Sequence, residues 1–310
     1  MLKFLYYYVR SMRLYYGFVT ATTVLAGLCL AHGKQAEAFL PWTLKDAALL
    51  AMGFFAWGFN QIFSDWYDRK EDAVNAPHRP MVTGALAPRP AFALSAVGLA
   101  AIAIAGFLMS PWTLLFLALG GALNITYSLL KRVPVVNCLV YACAISCCAL
   151  FAIAGHLKEC PDIRAVIYVL TMILPVHFLM CHNSYYKDVA GDRAAGVRTL
   201  QTQFPAVVAK TLTVSLAAIA LEISWLAAYG FGDEVGESWW RFLQPGLVAM
   251  LAAAHFIFLQ KRRHHVATCL NCQLCVALLH VVWFIDTWPI ELASLVAIQL
   301  LFLWYNDEKE

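Results

Sequence analysis

The sequence predicts an all-α polytopic membrane protein of nine or ten transmembrane helices with no soluble domain. Three observations carry that prediction. Of the 310 residues, 62% are hydrophobic and only 13% charged, about half the charged share of a soluble domain, and the mean hydropathy is +0.67. The apolar residues fall into runs close to the roughly 20 residues a helix needs to cross a bilayer. Finally, Lys and Arg are spread unequally over the segments that join those runs.

Taken in order, the predicted spans are 14–32, 44–66, 90–109, 111–129, 134–155, 164–186, 207–229, 244–260, 266–284 and 287–304. "DTWP" at 286–289 either separates the last two or only kinks one helix, so the count is nine or ten. The first span follows Arg10 and Arg13 directly. No short apolar core with a small-residue cleavage site precedes it, so no cleavable signal peptide is expected. With the N-terminus inside, 17 of the 22 Lys and Arg fall on that face; Lys34, Lys45, Lys158, Arg164 and Arg241 are the five on the other. The positive-inside rule then orients the chain with its even-numbered spans ending in the cytoplasm. Ten cysteines lie mostly within apolar runs, where they serve as small apolar side chains rather than a disulfide framework.

Two polar clusters interrupt this economy of charge. "SDWYDRKEDAVNAPHRP" at 64–80 closes span two, and "YYKDVAGDRAAGVRTL" at 185–200 closes span six. Both follow an even-numbered span, so both face the cytoplasm. If span two stays helical past residue 64, Asp65, Asp68 and Asp72 form one stripe at i, i+3 and i+7, and Asp188 and Asp192 form a matching i, i+4 pair. Like charges at that spacing repel, and charge near lipid is costly. The basic residues nearby are not obviously placed to neutralise each pair, so a hard divalent cation is the natural partner. Mg²⁺ takes one or two carboxylates and completes its shell with water and substrate phosphate. Arg79, Lys131, Lys187 and Arg198 on the same side suit a diphosphate held through Mg²⁺. One such cluster alone would be an ordinary solvated loop with snorkelling cations; two, on one face and each trailed by basic residues, are not.

These residues carry a resemblance. Asp65-x-x-Asp68-x-x-x-Asp72 followed by "NAPHRPMVTG" resembles the first signature of the UbiA-type intramembrane prenyltransferases, and "KDVAGDRAAGVRTL" resembles their second. "YSLLKRVPVVN" at 127–137 is similar to the basic loop between their fourth and fifth helices. The resemblance covers residues 1–310 as a single domain. It implies a helical bundle around a central cavity that opens to lipid, capped by cytoplasmic loops. It also implies Mg²⁺-dependent ionisation of an isoprenyl diphosphate and transfer of the prenyl group to an acceptor. Asp65, Asp68, Asp72, Asp188 and Asp192 would hold the metal, and Arg79, Tyr127, Lys131, Lys187 and Arg198 the diphosphate. Ser64 stands where the family has Asn. Asn60, Ser64, His182 and Asn183 lie within about two turns of the aspartates and are candidates for lining the cavity and meeting the acceptor.

The chemistry is consistent from below. An allylic diphosphate ionises when the leaving charge is neutralised by Mg²⁺ and Lys or Arg, a dry cavity protects the resulting cation, and aromatic faces stabilise it. Phe54, Phe55, Trp57, Phe59 and Phe63 on span two supply such faces, although most aromatics in this chain are expected simply to pack. Expected partners are an isoprenyl diphosphate, a hydrophobic acceptor and membrane lipid; neither nucleic acid nor an obligatory protein partner is expected. A terpene cyclase on the same scaffold would ionise the diphosphate identically and need no acceptor. A transporter would place its carboxylates near the bilayer midplane rather than at helix ends. His177, His255 and His280 read as helix–helix hydrogen bonders. "CLNCQLC" (Cys269, Cys272, Cys275) is a stripe of small residues on one helix, and "KRRHH" at 261–265 is a topology anchor.

Overall fold

Proline and capping residues set the ends of the long helices. A computed structural model of the chain describes residues 1–32, 43–130, 133–186, 189–194 and 196–235, with isolated positions between 296 and 304. Among the described residues the regular structure is entirely helical: α1 (Leu2–Ser11), a 3₁₀ turn (Leu14–Tyr16), α2 (Gly17–His32), α3 (Leu44–Tyr67), α4 (Arg69–Asn75), α5 (Pro88–Met109), α6 (Pro111–Leu129), α7 (Val136–Leu157), α8 (Ile163–Ser184), α9 (Val189–Ala194), α10 (Leu200–Gln203) and α11 (Ala206–Val235). α3 opens on a capping box, in which the Asp46 N–H donates to Thr43 Oγ1 at 3.2 Å and the Thr43 N–H donates back to Asp46 Oδ2 at 3.0 Å. α5 and α6 both begin with proline at the first helical position, where its missing N–H costs nothing. α8 starts at Asp162, whose Oδ1 accepts from the Ala165 N–H at 2.7 Å.

Among the described residues five helical stretches are long and apolar enough to cross a membrane: Leu14–His32, Leu44–Tyr67, Pro88–Met109, Pro111–Leu129 and Val136–Leu157. They coincide with the first five predicted spans within a few residues. α8 and α11 cover the sixth and seventh. The predicted spans 244–260 and 266–284 lie outside the described residues, as do "CLNCQLC", "KRRHH", His255, His280 and all but isolated positions of 287–304.

α7 is the central post, packed against α2, α6 and α8. Its inward face is built from small side chains, with Ala142, Ala149, Ala152 and Ala154 fully buried, which lets backbones approach closely where lipid gives no hydrophobic drive for helix association. The approach is tightest at Gly27 of α2, where a Cβ would sit 2.3 Å from the Ala149 carbonyl oxygen. Outward-facing Val97, Ile104, Leu108, Ile125 and Leu129 of α5 and α6 are more than half exposed, a surface that suits lipid rather than water. The cysteines behave as expected: Cys138, Cys147 and Cys181 are buried and free, and Cys160 is exposed just after α7. His177 on α8 meets Thr23 of α2 across 3.2 Å, the predicted helix–helix hydrogen bond.

α1 precedes the bundle and packs on α3, its Tyr8 hydroxyl hydrogen-bonded to Ser95 Oγ of α5 at 2.7 Å. The chain reverses between α1 and α2 at Arg13, a non-glycine residue held in the left-handed region at φ 47° and ψ 59°. That conformation costs on the order of 1 kcal/mol, and what holds it is an ion pair at the acidic end of α3.

Candidate active site

The first acidic motif straddles the junction of α3 and α4. The sequence predicted one continuous helical stripe; instead α3 ends at Tyr67, Asp68 is both its C-cap and the N-cap of α4, and Asp68 carries φ −82° and ψ 7°. The helical hydrogen-bond pattern nevertheless runs through the joint, the Asp68 N–H donating to Ser64 O and the Asp72 N–H to Asp68 O, both at 2.8 Å. Asp65 and Asp72 are therefore still on one face. Both are buried.

Their counter-ions correct the expectation that no base is placed to neutralise them. Arg13 Nη2 donates to Asp65 Oδ1 at 2.9 Å, and Gln61 Nε2 donates to the same oxygen at 3.0 Å. Arg79, from the loop beyond α4, lies 3.7 Å from Asp65 Oδ1 and pairs directly with Asp72 Oδ1. The physical reason is tertiary: Arg13 reaches Asp65 from 52 residues away, and the loop beyond α4 folds Arg79 back onto Asp72. In the sequence Arg13 stands out only by its place immediately before the first span. Asp72 Oδ2, by contrast, is buried with no hydrogen-bond donor on it among the described residues. Burial pushes the Asp72 carboxyl above the usual carboxylate range, with Arg79 pulling the other way. A buried acceptor without a donor is costly and is where a cation fits.

The second motif reaches the first through α9, which packs against α4. Asp192 of α9 is buried, so aspartates from two distant stretches converge at one end of the bundle. Lys131, Lys187 and Asp188 lie outside the described residues, and Arg198 is exposed between α9 and α10. The residues available to hold Mg²⁺ are thus Asp65, Asp68, Asp72 and Asp192 among those described, and Asp72 Oδ2 gives the most direct fit.

Beneath the motifs, α2, α3, α5, α6 and α7 enclose an apolar cavity of about 210 Å³. Its polar lining includes Asn60 and Asn124, joined by a 3.1 Å hydrogen bond from Asn124 Nδ2 to Asn60 Oδ1. Trp57, Phe116 and Phe151 give it aromatic walls. Ser64 is half-buried one turn beyond Asn60. Tyr127, at the end of α6, is joined to α7 and α8 by a relay in which Asn137 Nδ2 donates to the Tyr185 hydroxyl at 2.7 Å and Tyr185 donates to the Tyr127 hydroxyl at 3.1 Å. His182 and Asn183 turn elsewhere. His182 Nε2 donates to the Ala209 carbonyl of α11 at 2.9 Å, and Asn183 Oδ1 accepts from Thr213 of α11 at 3.2 Å. Both sit on the face of α8 that packs on α11, so helix packing accounts for their buried polarity.

A second, polar pocket of about 450 Å³ adjoins Asp65 on the side of α1 and is lined by Tyr6, Tyr7, Arg10, Arg13, His78 and Arg79 among others. Sequence reasoning missed it, because its walls come from α1 and from the loop after α4, which are remote in the chain.

Paired acidic motifs converge at one end of a membrane-type helical bundle, above an apolar cavity, so that a charged mouth adjoins an oily interior. The chain belongs to the UbiA prenyltransferase family, whose sequence model matches residues 20–274. It is 30% identical over 237 residues to chloroplastic chlorophyll synthase of Arabidopsis thaliana, an alignment covering 70% of this chain and 58% of that protein. It is also 30% identical over 207 residues to digeranylgeranylglyceryl phosphate synthase of Methanothrix thermoacetophila, covering 66% of this chain and 72% of that one. Its fold is similar to a UbiA homologue from Archaeoglobus fulgidus solved with GPP and Mg²⁺, at TM-score 0.66 and 15% identity over 94% of this chain and 99% of that one.

Proposed function

We propose that this protein transfers a prenyl group from an isoprenyl diphosphate to an acceptor within the membrane, with Mg²⁺ as cofactor. The observation that carries the proposal is the packing of α4 on α9, which joins the two acidic motifs next to an apolar cavity. Asp65, Asp68, Asp72, Asp188 and Asp192 hold the metal, which when bound supplies Lewis-acid neutralisation of the leaving diphosphate. Arg79, Lys131, Lys187 and Arg198 share that charge, and the Tyr127 hydroxyl, aimed by Tyr185, donates to a phosphate oxygen. The prenyl tail enters the cavity past Asn60 and lies against Trp57 and Phe116. Apolar walls exclude water from the allylic cation and leave the acceptor as the available nucleophile. The site faces the cytoplasm, in keeping with the Lys and Arg bias.

The pocket beside Asp65 favours transfer over cyclisation. A cyclase needs room for one substrate; here a second pocket rich in Arg and Tyr adjoins the first motif. Its chemistry suits an acceptor with an anionic group, because guanidinium forks bind carboxylate and phosphate. Purified protein given Mg²⁺, isoprenyl diphosphates of several lengths and pooled acceptors, with products read by mass spectrometry, tests the proposal. A prenylated acceptor is the expected product. A cyclic terpene formed without any acceptor would replace transferase by cyclase, and metal flux into liposomes without diphosphate turnover would overturn both.

A further inference from the structure

At the end of the bundle away from the aspartate motifs, three helix ends meet around one carboxylate. His32 closes α2, Asp46 opens α3 and His156 lies in the last turn of α7. His156 Nδ1 is 2.7 Å from Asp46 Oδ1, and His32 Nε2 is 3.3 Å from Asp46 Oδ2. The three ligand atoms all lie within 4.8 Å of one another, and the two imidazole centroids are 4.1 Å apart. Asp46 is fully buried, whereas the two histidine side chains are 21% and 19% exposed, which leaves an entry path from one side.

We propose that His32, Asp46 and His156 form a metal site for a divalent first-row transition cation of the zinc type, separate from the magnesium centre. Bonds of about 2.1 Å at tetrahedral angles hold ligand atoms about 3.4 Å apart, which the present atoms, all within 4.8 Å of one another, reach by small side-chain adjustments. Two imidazoles and one carboxylate, with a fourth position for water, is a donor set such cations accept and hard Mg²⁺ does not favour. The ligands are already held by their neighbours. Thr43 donates to Asp46 Oδ2 through both its N–H (3.0 Å) and its hydroxyl (2.8 Å). Lys45 Nζ donates to the His156 carbonyl at 2.6 Å and fixes the end of α7. Such partners orient ligands before the ion arrives. Nineteen residues of α3 separate Asp46 from Asp65, about 28 Å along the helix axis, so this site takes no part in diphosphate chemistry. Its effect is to clamp the ends of α2, α3 and α7, the helices that wall the cavity.

The test uses the 310-residue protein in detergent, stripped with chelator and then dialysed against limiting Zn²⁺ with excess Mg²⁺, in a Cys269→Ser, Cys272→Ser, Cys275→Ser background that removes those thiols as competing zinc ligands. One zinc per chain by mass spectrometry is expected, together with a rise in melting temperature of about 5 °C on adding Zn²⁺ and the visible absorption of tetrahedral Co²⁺ when cobalt replaces it. His32→Ala, at a partly exposed position, and His156→Ala each lose that zinc, shift and absorption, while prenyl transfer without added zinc is unchanged in His32→Ala. Background protein that takes up no zinc, or a His32→Ala variant that retains it with the same stoichiometry and shift, overturns the proposal and leaves Asp46 as a hydrogen-bonded helix cap.

Discussion

Replacing Arg79 with methionine removes a guanidinium from two buried carboxylates while keeping most of the side chain's bulk. Arg79 is 19% exposed, and the carboxyls of Asp65 and Asp72 are 2% and 8% exposed. Removing one partner of a buried pair costs about 3–5 kcal/mol. The lower end applies here, because Asp65 keeps Arg13 and Gln61 and Asp72 loses its direct partner while still feeling the charge of Arg13. About 3 kcal/mol corresponds to a fall in melting temperature of about 6–12 °C. The ten tryptophans make intrinsic fluorescence a direct readout of the melt. Magnesium then discriminates between readings. A ligand at 100 times its dissociation constant adds about 2.7 kcal/mol, so saturating Mg²⁺ restores most of the loss if the carboxylates form a cation site. Wild-type protein gains less from the same Mg²⁺, because Arg79 already carries part of the compensation. Arg89→Met, on the exposed side of α5, should move the melt by no more than about 0.5 kcal/mol. An Arg79→Met deficit that saturating Mg²⁺ leaves untouched would refute the assignment of Asp65 and Asp72 to a metal site.

Three further outcomes follow from the same structure. Asp68→Ala and Asp188→Ala each abolish turnover at saturating Mg²⁺ while the protein still inserts and elutes as a single species; near-normal product formation by either would sink the assignment. Gly121 is exposed at the rim of the cavity, and a Cβ there meets nothing within 4 Å, so Gly121→Phe should fold normally yet lower kcat/KM for long prenyl diphosphates relative to short ones by roughly tenfold or more; unchanged chain-length preference would remove the cavity from the reaction. Gly27→Ala drives a methyl into the Ala149 backbone and should destabilise by about 1–3 kcal/mol, seen as a lower melting temperature, whereas a neutral result would mean that α2 and α7 are not in contact as described.

The periodic features of this protein were legible in its sequence because they depend on nearest neighbours. The length of each apolar run sets its span within a few residues; the prolines that open α5 and α6 and the Thr43–Asp46 capping box are equally local signals, which the apolar runs alone do not use. The two acidic motifs were legible for the same reason. What escaped was everything assembled across the chain. The stripe predicted from i, i+3 and i+7 spacing bends at Asp68, where the chain passes from α3 into α4. His182 and Asn183 had been placed toward the cavity by proximity in sequence to the aspartates. Their direction is fixed by α11, about 30 residues later, whose Ala209 carbonyl and Thr213 hydroxyl take their polar atoms.

Repulsion between neighbouring aspartates was the original reason to invoke a cation, and that reason weakens once Arg13, 52 residues away in the sequence, and Arg79 are seen on the same carboxylates. Two stronger reasons replace it. Asp72 Oδ2 remains buried without a donor among the described residues, a cost that those residues do not remove. And the guanidinium that holds Asp72 Oδ1 belongs to a loop that also walls the adjoining polar pocket; under the proposed function, Arg79 would exchange the carboxylate for a phosphate when both a cation and a diphosphate arrive. In that exchange the number of buried opposite charges stays balanced at each stage, which is the condition under which a membrane-embedded site can bind a highly charged head group without a prohibitive desolvation cost.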